Sequence, residues 1–294
     1  MYGLNKEQAS LLTRNKLCTG IFFSLALAFI VMTAIALYGD LPHLINAIAH
    51  FRWAFLPVIV GFTLFNYCGR FLKWHYYLKR LAISINWRKS LLIFISGLSM
   101  AITPGKVGEV LKSYLLKRST GEPISRTSPI IVAERLTDGV AMIALASTGL
   151  ALYRYGWELL VALLVCVVGG VLVIQNRRLS LALLAFGERV SGISRAALWL
   201  RAFYESAYTL LQWRPLLLAI TIGIISWAGE CAALYFVFAG LGLGFGLELF
   251  VKSTFIMTVS SLIGSATGLP GGLGTADGSM IGLTRLLLTP SATI

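Results

Sequence analysis

Three ionisable residues, Glu134, Arg135 and Asp138, stand inside a single apolar run, residues 128–152. On a helix Glu134 and Asp138 share a face at a spacing of four, and Arg135 reaches Asp138 at a spacing of three. An ionisable group at the centre of a membrane helix costs about 2.5–3.5 kcal/mol on insertion scales. Three such groups in one segment must pair with one another or face a wet cavity. Two chemistries fit: a structural clamp onto a neighbouring hairpin, or direct handling of substrate or protons.

A second set of charges suits the capture of an anion. Arg70 and Lys73 lie near one end of the apolar run 54–78, and a planar guanidinium matches two phosphate oxygens. Both side chains can equally snorkel to headgroups at the membrane surface. Lys106 sits within a Pro-Gly break, Lys112 lies beyond it, and Glu109 falls between them. A cation beside a helix break meets a phosphate together with exposed backbone N–H groups. Glu230, in mid-run near Trp227, offers either an ion-coupling group that titrates during transport or a hydrogen bond to a neighbouring helix. Lys252 and Arg285 flank a second break as interfacial anchors. His43, His50 and His75 show no metal or catalytic spacing. Cys18, Cys68, Cys166 and Cys231 lie far apart in apolar runs and read as packing residues. No cofactor is expected.

The elements that position these groups follow from composition. Of 294 residues 57% are hydrophobic and 13% charged, whereas soluble domains carry about 25% charged residues. The apolar runs are long and continuous, unlike the alternating segments of about ten residues in a membrane barrel. The chain therefore reads as an all-α, polytopic helical integral membrane protein. A spanning helix needs about 20 apolar residues, and five segments approach or exceed that: 17–38, 54–78, 128–152, 157–174 and 215–240. The first resembles a signal peptide around Ala34-Ile35-Ala36, but its length and the spans that follow favour an uncleaved anchor.

Two further apolar stretches, 90–116 and 249–288, are interrupted. Pro104-Gly105-Lys106-Val107-Gly108 breaks the first and Pro270-Gly271-Gly272-Leu273-Gly274 the second. Proline removes a donor and glycine weakens a helix by about 1 kcal/mol. The two breaks share a Pro-Gly-x-apolar-Gly pattern. Ser96-Gly97-Leu98 aligns upstream with Ser260-Ser261-Leu262 across a two-residue gap, and an acid follows each break, Glu109 and Asp277.

Twenty-five Lys and Arg oppose twelve Asp and Glu, giving a net charge of +13. The cations lie in loops between apolar runs, so they read as cytoplasmic loop charge and not as a nucleic-acid surface. The N-terminal tail and segments 79–89, 112–126 and 175–214 are basic, while loops 39–53 and 153–156 hold one cation each. That asymmetry predicts a cytoplasmic N-terminus. It makes 90–116 a re-entrant hairpin entering from inside and 249–288 one entering from outside, an inverted repeat. Broken helices of such repeats sit at the bilayer midplane of transporters. The connection 175–214, with Leu198, Phe203, Leu210 and Leu211 among arginines, reads as a cytoplasmic amphipathic helix at the interface.

The run Pro104 to Lys112, the segment Glu134-Arg135-Leu136-Thr137-Asp138, and Pro270 to Gly274 with Asp277 resemble the lysylphosphatidylglycerol synthase transmembrane, or flippase-like, family. Arg70 to Leu78 is similar to its basic-aromatic motif. The resemblance covers nearly the whole chain. It implies a single lipid-handling domain over 1–294 in the cytoplasmic (inner) membrane, acting on a phospholipid, polyprenyl-phosphate or hopanoid-type lipid. No soluble aminoacyl-transfer domain follows in this sequence, so lysyl transfer is not carried over. The sequence stops at Ile294, where relatives usually continue into another helix. The leading expectation is a flippase or transporter of an anionic or phosphate-bearing lipid. An intramembrane lipid-modifying transferase, with Glu109 or Asp138 as acid or base, is the alternative. A third is a non-catalytic partner of a lipid synthase, and a homo-oligomer is also compatible.

Overall fold

A computed structural model describes residues 41–99, 107–153, 157–188, 197–267, 272 and 274–288. The expected first span, 17–38, and the break residues Pro104, Gly105, Lys106, Pro270 and Gly271 lie outside them. Among the described residues there are eleven α-helices and no strand. They are α1 (Leu41–His50), α2 (Leu56–Arg80), α3 (Trp87–Ser99), α4 (Val107–Thr120), α5 (Ile124–Tyr153), α6 (Trp157–Gln175), α7 (Arg177–Glu188), α8 (Ala197–Leu210), α9 (Trp213–Gly240), α10 (Leu247–Ala266) and α11 (Thr275–Leu288). A 3₁₀ turn, Trp53–Phe55, leads into α2, whose Pro57 falls in the first turn, where a missing N–H costs nothing.

Trp53–Arg80, Trp213–Gly240 and Leu247–Ala266 are long and apolar enough to cross a membrane. Helix α5 is longer than any of these, and Glu134, Arg135 and Asp138 interrupt its apolar character. Large apolar side chains cover the outer surfaces, among them Leu64 and Leu72 on α2, Val165 and Leu172 on α6, and Leu217 and Ile225 on α9. In water such a surface would aggregate; in hydrocarbon it is the solvated face. The chain is a helical integral membrane protein.

Helix α9 packs on α2, α5 and α10, and α5 packs in turn on α10 and α2. Apolar burial adds little between helices in lipid, so close backbone approach and hydrogen bonds must do the work. The α2–α9 contact shows both. A side chain on Gly69 would place its Cβ 1.9 Å from Ser226 Oγ, and Asn66 Nδ2 donates to the Ser226 carbonyl at 2.9 Å. Towards the C-terminal end of α2 a core gathers Trp74, Tyr77 and Leu78 from α2, Phe94 from α3, Leu116 from α4 and Ile130 from α5.

Each interrupted stretch forms a packed pair of helices, α3 against α4 and α10 against α11. In the second pair Gly264, Gly272 and Ala276 touch: a Cβ on Gly264 would meet that of Ala276 at 2.7 Å. Gly272 has φ +73°, a left-handed conformation that any side chain would strain.

The connection 175–214 departs from a single interfacial helix. Its described residues hold two separate helices, α7 and α8, and α8 turns Tyr204, Ala207 and Leu210 inward, where it packs against α5. Residues 204, 207 and 211 recur at helical spacing and form a buried stripe. Leu198 and Trp199, at the start of α8, remain exposed. Tyr204 donates to the Ile174 carbonyl at 3.1 Å, tying α8 to the end of α6.

Candidate functional site

The charges of α5 do not pair along their own helix. Each reaches a different neighbour. Lys112 of α4 donates to Glu134 at 2.5 Å, and Arg135 Nη2 meets Glu109 of α4 at 3.0 Å. Asp138 accepts from Lys73 of α2. The Arg135–Asp138 pair expected from spacing is therefore absent, for a physical reason. Pairing Arg135 with Asp138 would take Lys73 and Glu109 from their partners and leave the Lys73 ammonium bare in the interior, at a cost on the order of several kcal/mol. Partners on other helices neutralise all six charges.

Two of these pairs are deeply enclosed. Lys73 is 1% exposed and does not snorkel. Its ammonium also donates to Thr137 Oγ1 at 3.3 Å, which in turn stands 3.5 Å from the Tyr77 hydroxyl. Lys112 is buried with its ammonium 4.6 Å from the centre of the Trp74 ring and 5.7 Å from that of Phe94, a cation–π arrangement that helps offset desolvation. The Arg135–Glu109 pair differs, with Arg135 32% exposed. It opens onto a cavity.

That cavity, about 290 Å³, lies between the two interrupted stretches. Gly97, Leu98, Glu109 and Lys112 line it from α3 and α4. Ser261, Gly264, Ser265, Gly272 and Ala276 line it from the second stretch. Tyr67 and Arg70 of α2, Arg135 of α5 and Trp227 of α9 complete the wall. Gly97 and Ser261 are corresponding positions in the aligned upstream motifs, so both halves of the sequence pattern contribute the same place to one chamber.

Arg70 is half-buried in this wall, 5.9 Å from the centre of the Tyr67 ring. It makes no ion pair with any described residue. It lies near enough to Asp138 and Glu230 to feel both charges without touching either. The surrounding pairs are internally neutral, so Arg70, with only Glu230 near it as an unpaired carboxylate, presents to the cavity a guanidinium that no described acid contacts. A polar chamber with such a charge suits an anionic group with several acceptor oxygens.

Of the other expected residues, Lys73, Glu134 and Asp138 stand behind the wall as structural ion pairs. Gly272 lines the cavity, and Gly108 is the second residue of α4. Gly274 and Asp277 form the start of α11: Asp277 Oδ2 accepts the Gly274 backbone N–H at 3.1 Å, closing the first turn. Glu230 is half-buried on α9 but is not part of the wall. Among the described residues no group of three or more His, Cys, Asp or Glu is placed to hold a metal. Tyr67, Trp227 and Ser265 are wall residues that sequence reasoning missed. The one available signal was that Trp227 precedes Glu230 by three, on the same helix face.

A family model for the lysylphosphatidylglycerol synthase TM region matches residues 21–294. A UPF0104 membrane protein of Methanocaldococcus jannaschii is 30% identical over 191 residues, which is 63% of this chain and 78% of that relative. No solved structure matches the chain.

Proposed function

The chain belongs to the lysylphosphatidylglycerol synthase TM-region family, and from that premise we propose that it moves an anionic, phosphate-bearing lipid across the cytoplasmic membrane. The observation that carries this reading is the placement of Arg70, a cation without an ion-pair partner among the described residues, in a cavity walled by both interrupted stretches. The headgroup occupies the cavity while the acyl chains stay in the bilayer alongside. The two stretches are re-entrant hairpins of an inverted repeat, entering from opposite faces. The N-terminus and the basic segments 79–89, 112–126 and 175–214 face the cytoplasm. Arg135–Glu109 is the gate contact: partly exposed, it is the ion pair on α5 that a headgroup phosphate can enter and exchange with. Alternating access follows if the headgroup binds the inward-open and outward-open states with different affinity.

The test is translocation in vesicles reconstituted with purified protein, read as loss of a headgroup-labelled phosphatidylglycerol from the leaflet exposed to a membrane-impermeant quencher. Arg70→Ala is expected to lower the rate at least tenfold with unchanged folding. A rate equal to wild type in a folded Arg70→Ala protein removes the site assignment. Single cysteines at positions 104 and 270, in a background lacking the native cysteines, should react with impermeant reagents from opposite sides. Labelling of both from one side defeats the inverted hairpins. A chemically altered lipid formed in detergent, where no leaflets exist, would make the protein an enzyme instead.

A further inference from the structure

Two residues of the cavity wall each carry a buried polar group that no described residue satisfies. The Trp227 indole N–H and the Arg135 Nε–H are both buried without a hydrogen-bond partner, and both residues line the cavity. The remaining buried polar atoms without partners among the described residues belong to Trp74, Ser113, Ser128 and Ser260, none of which lines it. Native proteins rarely leave a buried donor unmatched, because its desolvation is not recovered.

The two groups share a chemical character. Indole N–H and guanidinium N–H donate and cannot accept. Arg70, also in the wall, is donor-only as well. Two nearby carboxylates are already engaged in ion pairs, Glu109 with Arg135 and Glu134 with Lys112. Residues of α2, α5 and α9 thus bring donor-only groups to the wall of one chamber, and a molecule that completes them must present acceptor oxygens.

We propose that Trp227 is a headgroup-binding residue: its indole N–H and Arg135 Nε–H donate to phosphate oxygens of a phosphodiester lipid headgroup. The site therefore reads the acceptor oxygens of the headgroup. This rests on the cavity being the headgroup site and adds what that site reads. Arg70 contributes attraction at a distance, and the indole N–H contributes a directional bond, so the two act on different features of the ligand.

The test uses the full-length protein in detergent micelles, labelled with ¹⁵N at the tryptophan indoles. The Trp227 resonance is assigned by its loss in Trp227→Phe, or in Trp227→Tyr where the Phe variant does not fold. Titration with dihexanoyl phosphatidylglycerol should move the Trp227 N–H resonance downfield. Trp227→Phe, which keeps a ring and loses the donor, should bind this lipid about tenfold more weakly. An equal shift produced by inorganic phosphate alone would overturn the lipid as the source of the phosphate. A resonance that stays fixed while Arg70→Ala still abolishes binding would overturn the role of Trp227 and leave the headgroup site standing. Absence of lipid binding by the wild-type protein would overturn both.

Discussion

Glu109 and Asp277 each stand third in the helix that follows a Pro-Gly break, and their carboxylates turn in different directions. Both sit at a helix N-terminus, where a negative charge is favoured by the backbone dipoles. Asp277 folds back to accept the Gly274 N–H at 3.1 Å. Glu109 reaches outward to Arg135 of α5 at 3.0 Å. One acid closes its own helix, and the other ties a broken stretch to the central charged helix beside the cavity.

Asp277→Ala should lower thermal stability by about 1 kcal/mol, the usual value of a lost cap, and leave lipid translocation near wild type. Asp277→Asn retains an acceptor and should recover most of the loss. A translocation defect in Asp277→Asn with normal stability would show that the charge itself is used.

Arg135→Lys keeps the positive charge but removes the planar fork and the Nε–H. The Arg135–Glu109 pair is partly exposed, so screening limits its stability contribution to about 0–1 kcal/mol. Translocation should nevertheless fall about tenfold, since a point charge replaces a two-donor surface. Vesicle assays at matched protein density, with melting curves alongside, separate the two effects.

Lys73→Met should be strongly destabilising, by about 3–5 kcal/mol, because it strands the Asp138 carboxylate in a buried site. The double change Lys73→Met with Asp138→Leu should recover most of that. Melting in a single detergent provides the double-mutant cycle. No recovery in the double variant would mean that Thr137 and Tyr77 require the charged pair for their own placement.

Gly264→Ala should separate α10 from α11. Its new methyl would lie 2.7 Å from the Ala276 Cβ, with the Gly272 backbone close by. A cost of about 1–3 kcal/mol is expected from such overpacking, together with reduced lipid binding, since all three residues line the cavity. Melting and binding of a short-chain phosphatidylglycerol check the two consequences.

Much of this architecture is legible in the chain, and particular residues show why some of it is not. Apolar runs and Pro-Gly interruptions are local properties, so an all-helical membrane fold with helix breaks could be read directly. The charges of Glu134, Arg135 and Asp138 were visible, but their partners were not. Spacing along one helix reports neighbours on that helix only, whereas Lys73, Glu109 and Lys112 lie on others. Trp227 was obscure for another reason: an indole in mid-span resembles lipid-facing or packing aromatics, and only its unmatched N–H in three dimensions distinguishes it. The segment 175–214 misled because leucines among arginines have the same pattern whether the apolar stripe meets lipid or, as in α8, another helix.

The ion pairs of α5 also bear on how the protein is made. Lys73, Glu109 and Lys112 all precede residue 134 in the chain. Every counter-charge has therefore left the ribosome before α5 emerges. A segment carrying three ionisable groups is a poor candidate for insertion by itself, at about 2.5–3.5 kcal/mol for each charge. With its partners already waiting, it can leave the translocon as a set of neutral pairs, and the order of synthesis becomes part of what makes this helix admissible to the bilayer.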